Sequence, residues 1–134
     1  MNPEGTAQSI QEIQALAERW NTLYAEQRFD EMKALATIDV GIANVKDSTA
    51  PSGLIFGQEN YKKGIVDAYY GESGKEHNLL VMGYLDWEYI PLNAHHFYAI
   101  GRYTLEPNIM GVNAWLLRRE SVSAPWKIYR VINN

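Results

Sequence analysis

The chain has 134 residues, no cysteine, and a net charge of −4 from 12 Lys plus Arg against 16 Asp plus Glu. Such a length fits one domain with a substantial core. The missing cysteines exclude disulfides, thiol nucleophiles and cysteine-based metal sites, and the acidic balance argues against nucleic acid and anionic membrane as partners.

Met1 to Thr6 lacks a basic stretch followed by an apolar one, so no signal peptide is expected. The longest apolar run, Leu79 to Leu85, is interrupted by Gly83 and too short to span a bilayer. These features predict a cytoplasmic protein with no membrane segment.

Residues 1–8 read as a flexible N-terminus ahead of a single domain over 9–134. Ser9 with Glu12 has the form of a capping box. Ile10, Ile13, Ala17, Trp20 and Leu23/Tyr24 then recur at helical spacing, which predicts a helix over 9–27. A short second helix is expected over Asp30–Ala36, with Met32 and Leu35/Ala36 inward. Val40–Val45 is rich in β-branched residues and reads as a strand. Asp47–Gly53 is a loop by composition, and Leu54–Phe56 is a short strand ahead of Gly57. Gln58–Tyr70 is a third helix with Tyr61, Ile65 and Ala68/Tyr69 on one face. Gly64 inside it costs about 1 kcal/mol of helix propensity.

Gly71–Lys75 is a turn, followed by a long strand over His77–Ile90. Three further strands are expected over Ala94–Leu105, Gly111–Glu120 and Trp126–Ile132. Short links between consecutive strands imply an antiparallel meander. Helices followed by strands define an α+β layer arrangement. Glycines within the strands, Gly83 and Gly101, mark bends or bulges.

Several residues carry the resemblance that follows. They are Arg19-Trp20 in a helix ending near Phe29-Asp30, Ala34-Leu35 leading to Asp39, and Gly57 before helix three. The closing pattern is Gly111-x-x-x-Trp115-Leu116-Leu117-Arg118-Arg119, then Trp126-Lys127-Ile128. Over about residues 9–132 this resembles the SnoaL-like, nuclear-transport-factor-2-like (NTF2-like) superfamily. The resemblance implies a cone: a strongly bent antiparallel sheet packed against about three N-terminal helices around a pocket. Many relatives end in a His-x-Ser-like segment, where this chain has Arg130-Val131-Ile132-Asn133-Asn134. The superfamily includes ketosteroid isomerase, whose chemistry needs a Tyr on helix one, an Asp base near the end of strand one and a protonated Asp on a late strand. The matching positions here hold Trp20, Asn44 and Trp115. Asn44 cannot accept a proton near neutral pH and Trp donates only weakly, so that isomerase mechanism is excluded.

The resemblance places Trp20, Tyr24, Asn44, Tyr61, Tyr98, Trp115 and Arg130 around the pocket. Rings with polar tips suit a small organic ligand, and an inward Arg130 would bind a carboxylate. His95 and His96 are adjacent, so on a strand they point to opposite faces and cannot share one metal ion without a bulge; no metal or cofactor is expected. His96 and Asp86 are the candidates for acid–base catalysis, of which Asp86 is the better general base if its side of the strand is the concave one. Two functions follow: a pocket protein acting on a small molecule by a lyase-, isomerase- or hydrolase-type step, or a non-catalytic module for ligand sensing or assembly. In either case the resemblance implies a homodimer formed through the outer face of the sheet. Strand register decides which side chains face inward, and a one-residue slip exchanges His95 for His96 and Tyr129 for Arg130.

Overall fold

The computed structural model describes residues 3–43, 54–70, 87–105 and 108–133. Helix α1 spans Pro3–Ala25, α2 Phe29–Lys33 and α3 Gln58–Tyr69. The strands are β1 Ala36–Ala43, β2 Leu54–Phe56, β3 Glu88–Asn93, β4 His96–Leu105, β5 Asn108–Arg118 and β6 Lys127–Asn133. The expected loop over 47–53, the turn over 71–75 and the strand segment 77–86, with Asn44, His77, Gly83 and Asp86, lie outside the described residues.

The predicted apolar stripe of α1 is the one that is buried: Ile13, Ala17, Trp20, Leu23 and Tyr24 all belong to the core. The helix begins earlier than the capping pattern suggests, so the segment expected to be loose is helical from Pro3. Proline is preorganised for the first helical position, and Ser9 lies inside the helix, buried, rather than at its cap. The second helix ends at Lys33, and β1 starts at Ala36 rather than Val40. The chain is captured there by β6: the Ile128 N–H donates to the Leu35 carbonyl at 3.0 Å, and Ala36 pairs with Ile128. Exposed ion pairs tie the helices together, with Arg19 and Arg28 on Glu31, Lys33 on Glu59 and Lys62 on Asp30.

The described strands form one six-stranded sheet in the order β2-β1-β6-β5-β4-β3, with β2 and β3 as open edges. Strands β3 to β6 are the expected antiparallel meander. The sheet as a whole is mixed, because β1 runs parallel to β6. The reason is connectivity: β6 returns alongside the first strand after the meander is complete. Register shifts interrupt the β1–β6, β3–β4, β4–β5 and β5–β6 ladders. Such bulges bend a sheet, and the result is a curled, unclosed sheet with helices on its concave face. Among the described residues, no helix is long and apolar enough to cross a membrane.

Candidate functional site

Strand register sorts the side chains onto two faces. On β4 and β5 the pairs Phe97↔Leu117, Ala99↔Trp115 and Gly101↔Asn113 alternate with His96↔Arg118, Tyr98↔Leu116 and Ile100↔Ala114. Phe97, Ala99, Trp115 and Leu117 are buried core residues, so the first set faces the helices and the second faces outward.

The concave face is an aromatic wall. Trp20 of α1 stacks on Tyr24 at 4.9 Å between ring centroids and lies 6.4 Å from Trp115 of β5. Trp115, 1% exposed, meets Trp87 edge-on at 5.3 Å. Trp87 lies over Gly101, where a Cβ atom would come within 2.6 Å of the ring Cγ and 2.7 Å of Nε1. The strand glycine therefore serves a close approach between β4 and an indole. Offset and edge-to-face geometries of this kind are the favoured ones for aromatic pairs.

Besides the Tyr24 hydroxyl, the wall has two polar points among the described residues. The Trp20 Nε1–H donates to the Tyr61 hydroxyl at 2.9 Å, and both residues are buried. An indole nitrogen can only donate, so the Tyr61 oxygen accepts. The Tyr61 proton has no acceptor among the described residues. Burial pushes the Tyr61 phenol above its ordinary range, against the weaker opposing effect of the Trp20 bond. Burial, and secondarily the neighbouring Tyr69, does the same to Tyr24. Both stay protonated at neutral pH. The second point is Asn113, two residues from Trp115 on β5 and 2% exposed; its Oδ1 is buried without a hydrogen-bond partner among the described residues. Sequence reasoning passed over Asn113. The signal was there: it is a polar residue in phase with Trp115 and Leu117 on an otherwise apolar strand face.

Trp20, Tyr24, Tyr61 and Trp115 are thus brought together. Tyr98, His96 and Arg130 are not; they lie on the outer face. For Arg130 the cause is the register shift between Leu116 and Leu117. It turns both Ile128 and Val131 into the core and leaves Tyr129 and Arg130 together outside. Arg130 lies across Gly41, donates to the Asp39 and Tyr129 carbonyls at 3.1 and 2.8 Å, and stacks on the Tyr129 ring at 3.9 Å. Arg118 covers the same ring at 4.3 Å and pairs with Asp39 at 3.3 Å. His96 sits beside Tyr129, its Nδ1 3.0 Å from Asn93 Oδ1. His95 falls in the β3–β4 turn rather than on a strand, with Nδ1 3.2 Å from the Arg119 carbonyl. Arg119 is the sole charged residue buried among the described ones; it bonds the Ala94 and Val122 carbonyls and stacks on Trp126. Among the described residues no group of three His, Asp or Glu could hold a metal ion.

This architecture is the NTF2-like, cystatin-like fold. No family model matches the sequence, and no curated protein matches it. Solved structures do. A scytalone-dehydratase-like protein from Novosphingobium aromaticivorans superposes with a TM-score of 0.74 at 10% identity, covering 99% of this chain and 87% of that one. An NTF2-like protein of unknown function from Shewanella oneidensis gives 0.70 at 12% identity, covering 93% and 98%. A hexachlorocyclohexane dehydrochlorinase from Novosphingobium barchaimii gives 0.69 at 12% identity, covering 99% and 90%. At these identities the likeness is one of fold.

Proposed function

We propose that the concave face binds a small, uncharged, largely aromatic molecule between the helices and β4–β5. The observation that carries this reading is the wall of Trp20, Tyr24 and Trp115, with the Tyr61 hydroxyl at one end and Asn113 on the neighbouring strand position. Amphipathic rings with a few placed polar groups are the usual lining of small-molecule sites. With no carboxylate, imidazole or free cation among the described buried side chains of this face, neutral ligands are favoured over carboxylates. Two neighbours in fold carry the names of enzymes that remove water or hydrogen chloride. Either reaction needs a base, and none of the described concave residues supplies one. The binding reading therefore extends to catalysis only through a residue such as Asp86. A cytoplasmic location fits the cysteine-free sequence.

The test is a thermal-shift and tryptophan-fluorescence screen against neutral aromatics, steroids, terpenoid epoxides and small carboxylates. A ligand at 100 times its Kd adds about 2.7 kcal/mol, or about 10 °C for a chain of this length. Stabilisation and fluorescence quenching by neutral ring compounds, with no response to carboxylates, is the expected result. Silence across the panel refutes the reading.

A second reading, a non-catalytic assembly module, is favoured by the outer face. Ile90, Tyr98, Leu116 and Phe56 lie in one cross-strand row with Arg130 and Gly41. Ile100, Ala114 and Ile132 form the next row. Ile90 is 42% and Ile132 53% exposed. An exposed apolar sheet face marks an interface, and a second copy of the chain related by two-fold symmetry would cover it.

A further inference from the structure

Asn113 and Tyr61 pose a problem that packing alone does not answer. A buried amide oxygen without a partner destabilises the protein that contains it, and an apolar residue of the same shape would fit the same core position between Gly101 and the β6 backbone. Tyr61 presents the reverse case. Its oxygen is occupied by the Trp20 N–H and its proton is left without an acceptor among the described residues. One idle acceptor and one idle donor therefore border the same aromatic wall. Trp115 is about 7 Å along β5 from Asn113, and its ring lies 6.4 Å from the Trp20 ring that holds the Tyr61 oxygen.

We infer that the concave site recognises an uncharged ring compound with an oxygen acceptor for the Tyr61 O–H and a hydroxyl or N–H donor for Asn113 Oδ1. The inference rests on the ligand-site reading and adds the polar code of the ligand. Trp20 is the positioning residue: by donating to the Tyr61 oxygen it fixes the phenol and directs its proton away from itself. The code is asymmetric, so a ligand enters in one orientation. A carboxylate is rejected twice, because it offers no donor to Asn113 and meets no cation among the described residues of the wall.

The test uses two scaffolds of different length, 5-hydroxyindan-1-one and 3-hydroxyfluoren-9-one, titrated into the full chain and followed by tryptophan fluorescence. Each is compared with its analogue lacking the carbonyl oxygen, its analogue lacking the hydroxyl, and the parent hydrocarbon. On at least one scaffold, removing either oxygen weakens binding roughly tenfold, as one hydrogen bond in a dry site would. Tyr61→Phe abolishes the preference for the carbonyl and keeps that for the hydroxyl; Asn113→Leu does the opposite. Without ligand, Asn113→Leu melts higher than the natural chain. Equal binding of hydrocarbon and hydroxy ketone overturns the code and leaves the site reading standing. No binding by any member, the hydrocarbons included, overturns both. A lower melting point for a folded Asn113→Leu removes Asn113 from the code. The analogue series on the natural chain keeps the test decisive if that variant does not fold.

Discussion

Gly101→Ala tests the packing of the concave face at its tightest point. The added Cβ would enter the Trp87 ring, within 2.6 Å of Cγ and 2.7 Å of Nε1, where ordinary contact needs about 3.5–4.0 Å. The indole must retreat by about 1 Å. It is a rigid, buried ring, so it cannot swing aside as the tip of a flexible chain would. Overpacking of this kind costs about 1–3 kcal/mol. Withdrawal of Trp87 also breaks its edge-on contact with Trp115, worth about 0.5–1.5 kcal/mol. Replacing a strand glycine returns about 0.5–1 kcal/mol of backbone entropy. The net loss is about 0.5–4 kcal/mol. An unfolding entropy near 2.1 cal/mol/K per residue amounts to about 0.28 kcal/mol/K for this chain, so Tm falls by about 2–14 °C. The assay is thermal unfolding followed by circular dichroism, with tryptophan emission recorded in parallel, because the displaced Trp87 leaves Trp115. A Tm within 1 °C of the natural chain, with unchanged emission, would refute the placement of Trp87 over β4.

Two other glycines should respond in opposite directions. Gly64 sits exposed within α3 with no atom near a built Cβ, so Gly64→Ala should raise stability by about 1 kcal/mol, seen as a higher denaturant midpoint. Gly57 is as open but has φ of +103° ahead of α3; Gly57→Ala should lower stability by about 1–3 kcal/mol. Asp30 and Glu59 are held below their ordinary pKa, mainly by their hydrogen bonds to Lys62 and Lys33 respectively. Their folded pKa values are depressed, so their small contribution is present above the unfolded values. It is lost as pH falls through about 4 and below. Stability should be flat from pH 7 to about 5 and then decline, and the decline should shrink in 1 M salt; a loss beginning above pH 6 would contradict this. Light scattering should give about twice 15.3 kDa for the natural chain and 15.3 kDa for Ile90→Lys with Ile132→Lys; a natural monomer would refute the outer-face interface.

Element order and the inward stripe of α1 were determined by the sequence alone, because a 3.6-residue repeat through Ile13, Ala17, Trp20 and Tyr24 has only one way to bury its rings. The same holds for β2, for α3 and for the meander of β4, β5 and β6, where short links leave no other neighbour. That Trp20, Tyr24, Tyr61 and Trp115 share one wall was an expectation from the family resemblance, which also placed Tyr98 and Arg130 there. Tertiary structure decided the rest. A parallel pairing between β1 and β6 joins segments about 90 residues apart, and no local pattern encodes it. That pairing also moved the start of β1 to Ala36. The face of each late strand depended on a register shift near Leu116, which sends Ile128 and Val131 inward and leaves Arg130 outside with Tyr129. A period of two predicts alternation and cannot predict where alternation breaks. Asn113 became visible for the same reason: a polar residue in a strand is ordinary until the register shows that its side chain is buried, with nothing among the described residues for its Oδ1 to bond.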